Sequence, residues 1–168
     1  MSSHRQIFYQ IVFGTKNRES TITEAHCEEL YKYIWGVIKN NKCKLYRING
    51  IEDHIHIFSD LHPSVSLADY IKDVKVSSSL WMKECGKFPK FKSWQEGYGE
   101  FTYSAREKDT IINYIRKKKE HHKAESFYDE YCSRMKLNSK KNICCNTLIQ
   151  PLAGLVYNLS LTPGSTRG

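Results

Sequence analysis

The chain has 168 residues, a formal net charge of +8 and 40% hydrophobic residues, which is enough for one domain with a single core. No apolar run is long enough to span a bilayer, and we find no signal peptide and no Cys-x-x-Cys pair among the six cysteines. We therefore expect a soluble protein of the reducing cytoplasm, without disulfides. The excess of positive charge favours a partner that carries phosphates, although many soluble proteins are mildly basic.

Hydrophobic periodicity and capping residues divide the first half of the chain into strands and one helix. The predicted elements are a strand over residues 5–13, a polar turn over 14–18, a helix from a Thr23 cap to about Asn40, a strand over 44–49 and a strand containing His54. Gly50 is expected to turn the chain so that the last two strands form a hairpin. The helix is expected to bury a stripe at helical spacing: Leu30, Ile34, Val37 and Ile38.

The second half begins where Pro63 interrupts the chain. Its predicted elements are a helix opened by Ser66 that runs to about Glu84, an irregular stretch over 88–94, a strand over 97–103, a helix capped by Ser104 that continues through His121 and His122, and a short helix over 126–135. The apolar positions expected to be buried are Leu67, Tyr70, Ile71, Val74 and Leu80 in one helix and Ile111, Ile112 and Ile115 in the next.

The order strand, helix, strand, strand, helix, strand is typical of the split βαβ or ferredoxin-like (RRM-like) α+β fold. In that fold two helices back one antiparallel sheet, and here a third helix is added at the C-terminal end. We expect the domain to cover residues 1–137. Residues 138–168 lack such patterning and are expected to form a poorly ordered tail.

His54 and His56 stand two residues apart in the branched and aromatic run that predicts the third strand. Alternate residues of a strand face the same side, so the two imidazoles are expected to lie together. Two neutral imidazoles are half of a divalent-metal site. The alternative is a polar strand face on which the histidines serve only solubility.

Four ordered motifs together resemble the single-tyrosine HUH transposases of the smallest insertion sequences. They are Tyr-Gln-Ile-Val-Phe-Gly-Thr-Lys-Asn-Arg at 9–18, Asp-His-Ile-His at 53–56, Trp-Gln-Glu-Gly-Tyr-Gly-Glu-Phe at 94–101 and Asn-Tyr-Ile-Arg-Lys-Lys-Lys-Glu-His-His at 113–122. The resemblance covers about residues 5–136. It implies a homodimer that cuts and rejoins single-stranded DNA at element ends, recognises hairpins near those ends and passes through a 5′-phosphotyrosine.

The resemblance also implies roles for individual residues. Tyr114 corresponds to the catalytic nucleophile, and His54 and His56 correspond to the ligands of a Mg²⁺ or Mn²⁺ ion that would polarise the phosphate. Candidate DNA-binding residues are the cations near these motifs and on the second helix: Lys16, Arg18, Lys75, Arg116 and Lys117. Plainer interpretations stay open. Tyr114 could pack at the edge of the core, and the basic run at 116–119 could form a solvent-exposed helix face.

One position departs from the family pattern, in which a glutamine four residues after the tyrosine completes the metal site. Lys118 stands there, and a protonated ammonium has no lone pair to donate. Four alternatives remain open: the histidines with DNA oxygens and water suffice, His122 substitutes, the lysine charge partly replaces the metal, or catalysis is impaired while DNA binding survives. The last alternative describes a DNA-hairpin-binding relic of a transposase. An RNA-binding module of the same fold class is a third hypothesis that the histidine pair disfavours.

Overall fold

The computed structural model describes residues 7–117, which form three helices and one four-stranded sheet. In chain order the elements are β1 (Phe8–Gly14), α1 (Glu24–Asn40), β2 (Leu45–Ile51), β3 (His54–Ser59), α2 (Leu67–Glu84), β4 (Gly99–Tyr103) and α3 (Lys108–Arg116), with short 3₁₀ turns at Lys16–Arg18 and Ala105–Glu107. The order of elements is the one that the sequence predicts. The predicted extension of the third helix through His122, the helix over 126–135 and the tail over 138–168 lie outside the described residues. None of the helices described is long and apolar enough to cross a membrane.

The sheet has the strand order β2-β3-β1-β4, and all its neighbouring strands are antiparallel. The predicted hairpin of β2 and β3 is confirmed, and the α+β class is confirmed with it. In this register His56 lies opposite Val12 of β1 on one side and Asn49 of β2 on the other, while His54 lies opposite Gly14. The histidines therefore lie on an interior strand of the sheet.

Side chains alternate along the strands, so the sheet has two faces, and each is covered by helices. One face packs against α1 and α2 in the main core, which includes Ile11, Phe13, Ile55 and Ile57 from the strands, Leu30, Ile34 and Ile38 from α1, and Tyr70, Ile71 and Val74 from α2. The other face carries a smaller core of Phe8, Phe58, Ile111 and Ile115 beneath α3. The histidine pair lies on this second face, since His56 alternates with the core residues Ile55 and Ile57.

Two of the predicted helix starts have capping hydrogen bonds. The Ser66 hydroxyl accepts a hydrogen bond from the Asp69 amide at 3.1 Å. The amide and the hydroxyl of Ser104 both donate to the Glu107 carboxylate, at 3.1 and 2.9 Å. Thr23 occupies the predicted N-cap position of α1 without a hydrogen bond from its side chain.

Two details of the sequence prediction are wrong. Gly50 does not turn the chain: it lies inside β2 opposite Ile55, and the turn is at Glu52 and Asp53. A Cβ at Gly50 would lie 2.3 Å from the His54 carbonyl oxygen, so the glycine permits the close approach of the two strands. Leu80 is exposed, because the buried stripe of α2 continues from Val74 through positions four residues apart, Ser78 and Met82.

Candidate active site

The imidazoles of His54 and His56 lie side by side on β3 beneath α3. Their ring centroids are 5.0 Å apart with an interplanar angle of 66°, and their exposed fractions are 0% and 1%. The Nε2 atoms of both rings are buried from solvent. The Nδ1 atoms contact other side chains, and these contacts differ between the two histidines.

His54 belongs to an ionic cluster with Asp53 and Arg18. Its Nδ1 atom lies 2.7 Å from Oδ1 of Asp53, and the other carboxylate oxygen lies 2.9 Å from Nη2 of Arg18. The same guanidinium nitrogen is 3.1 Å from Nδ1 of His54. Gly14 makes room for this cluster, because a Cβ at Gly14 would lie 2.8 Å from Nη1 of Arg18.

The chain reaches the Arg18 position through an unusual backbone conformation. Asn17 and Arg18 have φ values of 56° and 59°, in the left-handed region that only glycine adopts without cost. The hydroxyl of Thr15 donates to the carbonyl oxygen of Glu19 at 2.6 Å, closing the turn across its base. A turn that holds strain to place one guanidinium is typical of a functional site.

His56 contacts the neutral amide of Gln10, which in turn contacts Tyr103. The Nε2 atom of the buried Gln10 amide is 3.2 Å from Nδ1 of His56. The hydroxyl of Tyr103 donates to Oε1 of the same amide at 3.1 Å. Gln10 of β1 therefore joins residues of the two neighbouring strands, His56 of β3 and Tyr103 of β4.

Tyr114 lies on α3 and contacts His56 of the same chain. The two ring centroids are 6.4 Å apart, the rings meet edge to face at 81°, and the Tyr114 hydroxyl is buried. Asn49, on β2 beside His56, holds the end of the helix: its Nδ2 atom donates to the carbonyl oxygens of Ile115 at 2.9 Å and Arg116 at 3.2 Å. The structure thus brings together the three residues that the sequence assigns to the chemistry.

The donor set fits a divalent cation in part. Two adjacent imidazoles offer two Nε2 atoms to a metal ion. The usual support of a histidine ligand is an Nδ1–H that donates to a neighbouring group, and the Asp53 carboxylate can accept such a bond from His54. Within residues 7–117 no group of three or more His, Cys, Asp or Glu side chains is placed to hold a metal ion. Lys118 and His122, the two positions considered for a third ligand, lie outside the described residues. The remaining ligands would therefore come from substrate oxygens, water or those two positions.

The candidate DNA-binding cations have different surroundings. Lys16, Arg116 and Lys117 are exposed, and Arg18 is half-buried in the ionic cluster. Lys75 lies on the other side of the sheet, with Nζ 5.7 Å from the centroid of the Phe13 ring.

The ammonium of Lys75 is already engaged by the protein. It donates to the carbonyl oxygens of Gln95 at 2.7 Å, Glu96 at 2.8 Å and Gly97 at 3.4 Å. Burial lowers the pKa of this ammonium below its ordinary value, and the nearby Glu96 carboxylate partly opposes that effect. Lys75 therefore holds the segment before β4, and its surroundings do not resemble those of a phosphate contact.

Sequence reasoning missed several residues that support the site: Asp53, Gln10, Tyr103 and Asn49. Two of them carry a signal that could have identified them. Gln10 is the one amide in the apolar strand β1, and a buried amide needs hydrogen-bond partners. Asp53 directly precedes a candidate metal-binding histidine, and carboxylates commonly orient such histidines. Tyr103 and Asn49 have no local signal, because only the pairing of the strands brings them close to the histidines.

Comparison with known proteins gives a family and a fold. The family model described as "Transposase IS200 like" matches residues 3–118. No curated protein matches the chain. A structure of a candidate transposase from Deinococcus radiodurans R1 superposes with a TM-score of 0.55 at 21% identity, covering 69% of this chain and 96% of that one. A REP-associated tyrosine transposase bound to a REP hairpin superposes with a TM-score of 0.50 at 17% identity, covering 70% of this chain and 72% of that one.

Proposed function

The chain belongs to the IS200-like transposase family, and from this premise we propose that it cleaves and rejoins single-stranded DNA at the ends of an insertion sequence, with Tyr114 as the nucleophile. The observation that carries the proposal is the contact between the Tyr114 ring and His56, which places a phenol beside a buried imidazole pair. The position of Tyr114 on α3, as well as its motif, thus supports it as the candidate nucleophile.

The proposed reaction is a transesterification. The Tyr114 oxygen forms a bond to phosphorus as the bond from phosphorus to the 3′ oxygen breaks, and the phenol gives up its proton while the departing 3′ oxygen gains one. The product is a 5′-phosphotyrosine with a free 3′ hydroxyl, and attack by another 3′ hydroxyl reverses the step and rejoins DNA. Because the ester conserves the energy of the phosphodiester, rejoining requires no nucleotide cofactor.

His54 and His56 are proposed to hold Mg²⁺ or Mn²⁺ through their Nε2 atoms. Such an ion, when bound, would neutralise the phosphate oxygens and polarise phosphorus toward attack. A phenol ordinarily titrates near pH 10, so the field of nearby cations is needed for attack at neutral pH. The Tyr114 hydroxyl is buried, so the ring must leave His56 before a phosphate can enter between them. A displacement of the Tyr114 ring from His56 is therefore part of the proposed cycle.

We propose hairpin-bearing single-stranded DNA as the substrate and a homodimer as the acting form. A structural relative is bound to a REP hairpin, and the net charge of +8 suits a polyanionic partner. The proposed phosphate contacts are three exposed cations: Lys16, which precedes the histidine strand in the chain, and Arg116 and Lys117, which follow Tyr114. Light scattering tests the dimer, which requires a mass of twice 19.7 kDa.

A second candidate function is a DNA-hairpin-binding protein that has lost catalysis. The observation that favours it is Lys118, because a lysine stands where the family pattern has a ligand glutamine. The two candidates share DNA binding and differ in covalent chemistry.

The deciding experiment is adduct formation. The protein is incubated with Mn²⁺ and the single-stranded, hairpin-bearing ends of the element that encodes it, and covalent protein–DNA species are resolved under denaturing conditions. The transposase proposal predicts an adduct that Tyr114→Phe abolishes and that Tyr33→Phe, on α1, leaves intact. An adduct that survives Tyr114→Phe contradicts the assignment of the nucleophile. Binding without any adduct, together with cleavage gained by Lys118→Gln, supports the second candidate instead.

A further inference from the structure

The two histidines differ in the chemistry of the group that holds Nδ1. His54 faces a carboxylate, which only accepts hydrogen bonds, whereas His56 faces an amide, which can donate or accept. A neutral imidazole carries one proton, so the partner at Nδ1 decides whether Nε2 carries the proton or a lone pair. Only a nitrogen with a lone pair can bind a metal ion.

For His54 the contacts select the form that can bind metal. The Asp53 oxygen at 2.7 Å from Nδ1 is closer than the Arg18 nitrogen at 3.1 Å, and Arg18 is already paired with the second carboxylate oxygen at 2.9 Å. A charge-assisted bond from Nδ1–H to Asp53 is therefore the preferred arrangement. It leaves the lone pair on Nε2.

In the orientation that the Gln10 amide has in the structure, the contacts of His56 favour the opposite form. The Tyr103 hydroxyl donates to Oε1 of Gln10 at 3.1 Å, which turns the NH₂ group toward Nδ1 of His56 at 3.2 Å. An amide NH₂ can only donate, so Nδ1 carries the lone pair and Nε2 carries the proton. In this arrangement His56 does not accept a metal ion at Nε2.

A turn of the Gln10 amide by 180° removes this obstacle. Its oxygen would then accept from Nδ1–H of His56, and its NH₂ group would donate to the Tyr103 oxygen, since a phenol both donates and accepts. Both orientations therefore satisfy the hydrogen bonds that join Gln10 to His56 and to Tyr103. The buried amide is a two-position element whose state decides which nitrogen of His56 carries the proton.

We propose that Gln10, held by Tyr103, is a positioning residue that sets the tautomer of His56 and so restrains metal binding until its amide turns, whereas Asp53 keeps His54 ready to bind. The inference rests on the proposed function, in which the pair holds a divalent ion. It makes His54 the constant ligand and His56 the conditional one. It also predicts that one substitution next to the site tightens metal binding, which structural damage would not do.

The test uses Co²⁺ alone as the probe, because its visible absorption reports imidazole ligands and it binds them more tightly than Mn²⁺ does. Gln10→Glu replaces the amide with a group that cannot donate and is expected to lower the Co²⁺ dissociation constant about 10-fold or more, the size of effect that partners of a metal ligand commonly have. Asp53→Asn makes the reverse change at His54 and is expected to raise the constant about 10–100-fold. Both replacements keep the shape of the side chain.

A second readout, independent of metal, is the ¹⁵N chemical shift of the ring nitrogens in the metal-free protein at about pH 8, where an ordinary histidine is neutral. We expect the proton of His54 on Nδ1 and that of His56 on Nε2. Tyr103→Phe removes the hydroxyl that orients the amide and is expected to give His56 a mixture of both tautomers.

The outcomes distinguish control of the His56 tautomer from metal binding by the pair. A proton on Nδ1 of His56 in the unmodified protein overturns the inference, as does Gln10→Glu without tighter Co²⁺ binding. If neither the unmodified protein nor Gln10→Glu binds Co²⁺ while the expected tautomers are seen, the proposed metal site fails and the control of the His56 tautomer by Gln10 stands.

Discussion

The ring of Tyr114 meets the ring of His56 edge to face within one chain, with 6.4 Å between their centroids. Asn49 stabilises this contact, because it lies opposite His56 in the sheet and donates to two carbonyl oxygens at the end of α3. The last carbonyls of a helix have no partner within it, so a side chain that supplies one stabilises the final turn. The position of the candidate nucleophile therefore depends on a residue of β2 that has no chemical role.

Replacing Asn49 with alanine is expected to loosen the end of α3. The carbonyl oxygens of Ile115 and Arg116 lose their donor, at a cost of about 1–3 kcal/mol. Hydrogen exchange should then speed up about 10-fold or more at the amides of α3, with little change in α1. Asn41→Ala is the matched control, since Asn41 donates to Val37 at the end of α1, away from the site. Unchanged exchange in α3 would show that Asn49 does not hold the helix.

The exposed cations are expected to differ from Lys75 in their effect on DNA binding. Lys117→Ala should weaken binding of a hairpin oligonucleotide and reduce the slope of log K against log salt concentration by about 1, because one phosphate contact is lost. Lys75→Met should leave that slope unchanged, since the ammonium is bound to carbonyl oxygens on the other side of the sheet.

Fluorescence anisotropy over a range of salt concentrations measures both slopes. Lys32→Ala, an exposed lysine of α1, controls for the loss of one positive charge. A reduced slope for Lys75→Met would restore Lys75 to the DNA-binding surface. Equal slopes for Lys117→Ala and Lys32→Ala would remove Lys117 from it.

The elements could be predicted because their signals are local. The Ser66 cap, the helical spacing of Leu30, Ile34 and Ile38 and the alternation around His54 each depend on residues close in the chain. The motifs identified Tyr114 and the histidine pair by resemblance. The roles of Gln10 and Tyr103 could not be predicted in this way, because 93 positions separate the two residues and only the sheet register brings them together.

The misplaced turn has a related cause. A glycine between two apolar runs usually indicates a turn, but Gly50 serves the approach of two strands, which is a property of packing and not of local chain direction. The surroundings of Lys75 likewise could not be predicted from the residues near it in the chain. A lysine in a basic cluster suggests a phosphate contact, and its three carbonyl partners come from a segment about 20 positions further along the chain.

Glu100 on β4 gives a pH-dependent prediction. Burial raises the pKa of its carboxyl above the ordinary value of 4.5, so the folded protein holds this proton more tightly than the unfolded chain does. The contribution of Glu100 to stability is thus fully present below pH 4.5 and is lost as the pH rises through the folded-state pKa. Glu100→Gln is expected to raise the free energy of unfolding at pH 7, with a gain that shrinks as the pH approaches 4.

Urea unfolding at several pH values measures this gain. Glu28→Gln, which removes the same charge from an exposed position on α1, is the control and is expected to show a smaller change with no such pH trend. The prediction compares the gain in the free energy of unfolding, variant minus unmodified protein, at two pH values. A gain for Glu100→Gln that is no larger at pH 7 than at pH 4 would contradict it.

Two glycines that differ only in their surroundings provide the last prediction. A Cβ at Gly50 would lie 2.3 Å from the His54 carbonyl oxygen and 2.9 Å from Cα of Ile55, so Gly50→Ala must force β2 away from β3 at a cost of about 1–3 kcal/mol or more. A Cβ at Gly36 in α1 meets nothing within 4 Å, and Gly36→Ala should stabilise the helix by up to about 1 kcal/mol. Urea unfolding should therefore give opposite signs for the same substitution. Because Gly50 lies next to the histidine strand, Gly50→Ala should also weaken Co²⁺ binding, whereas Gly36→Ala should not. Equal stabilities for the two variants would show that the close approach of the strands is not required.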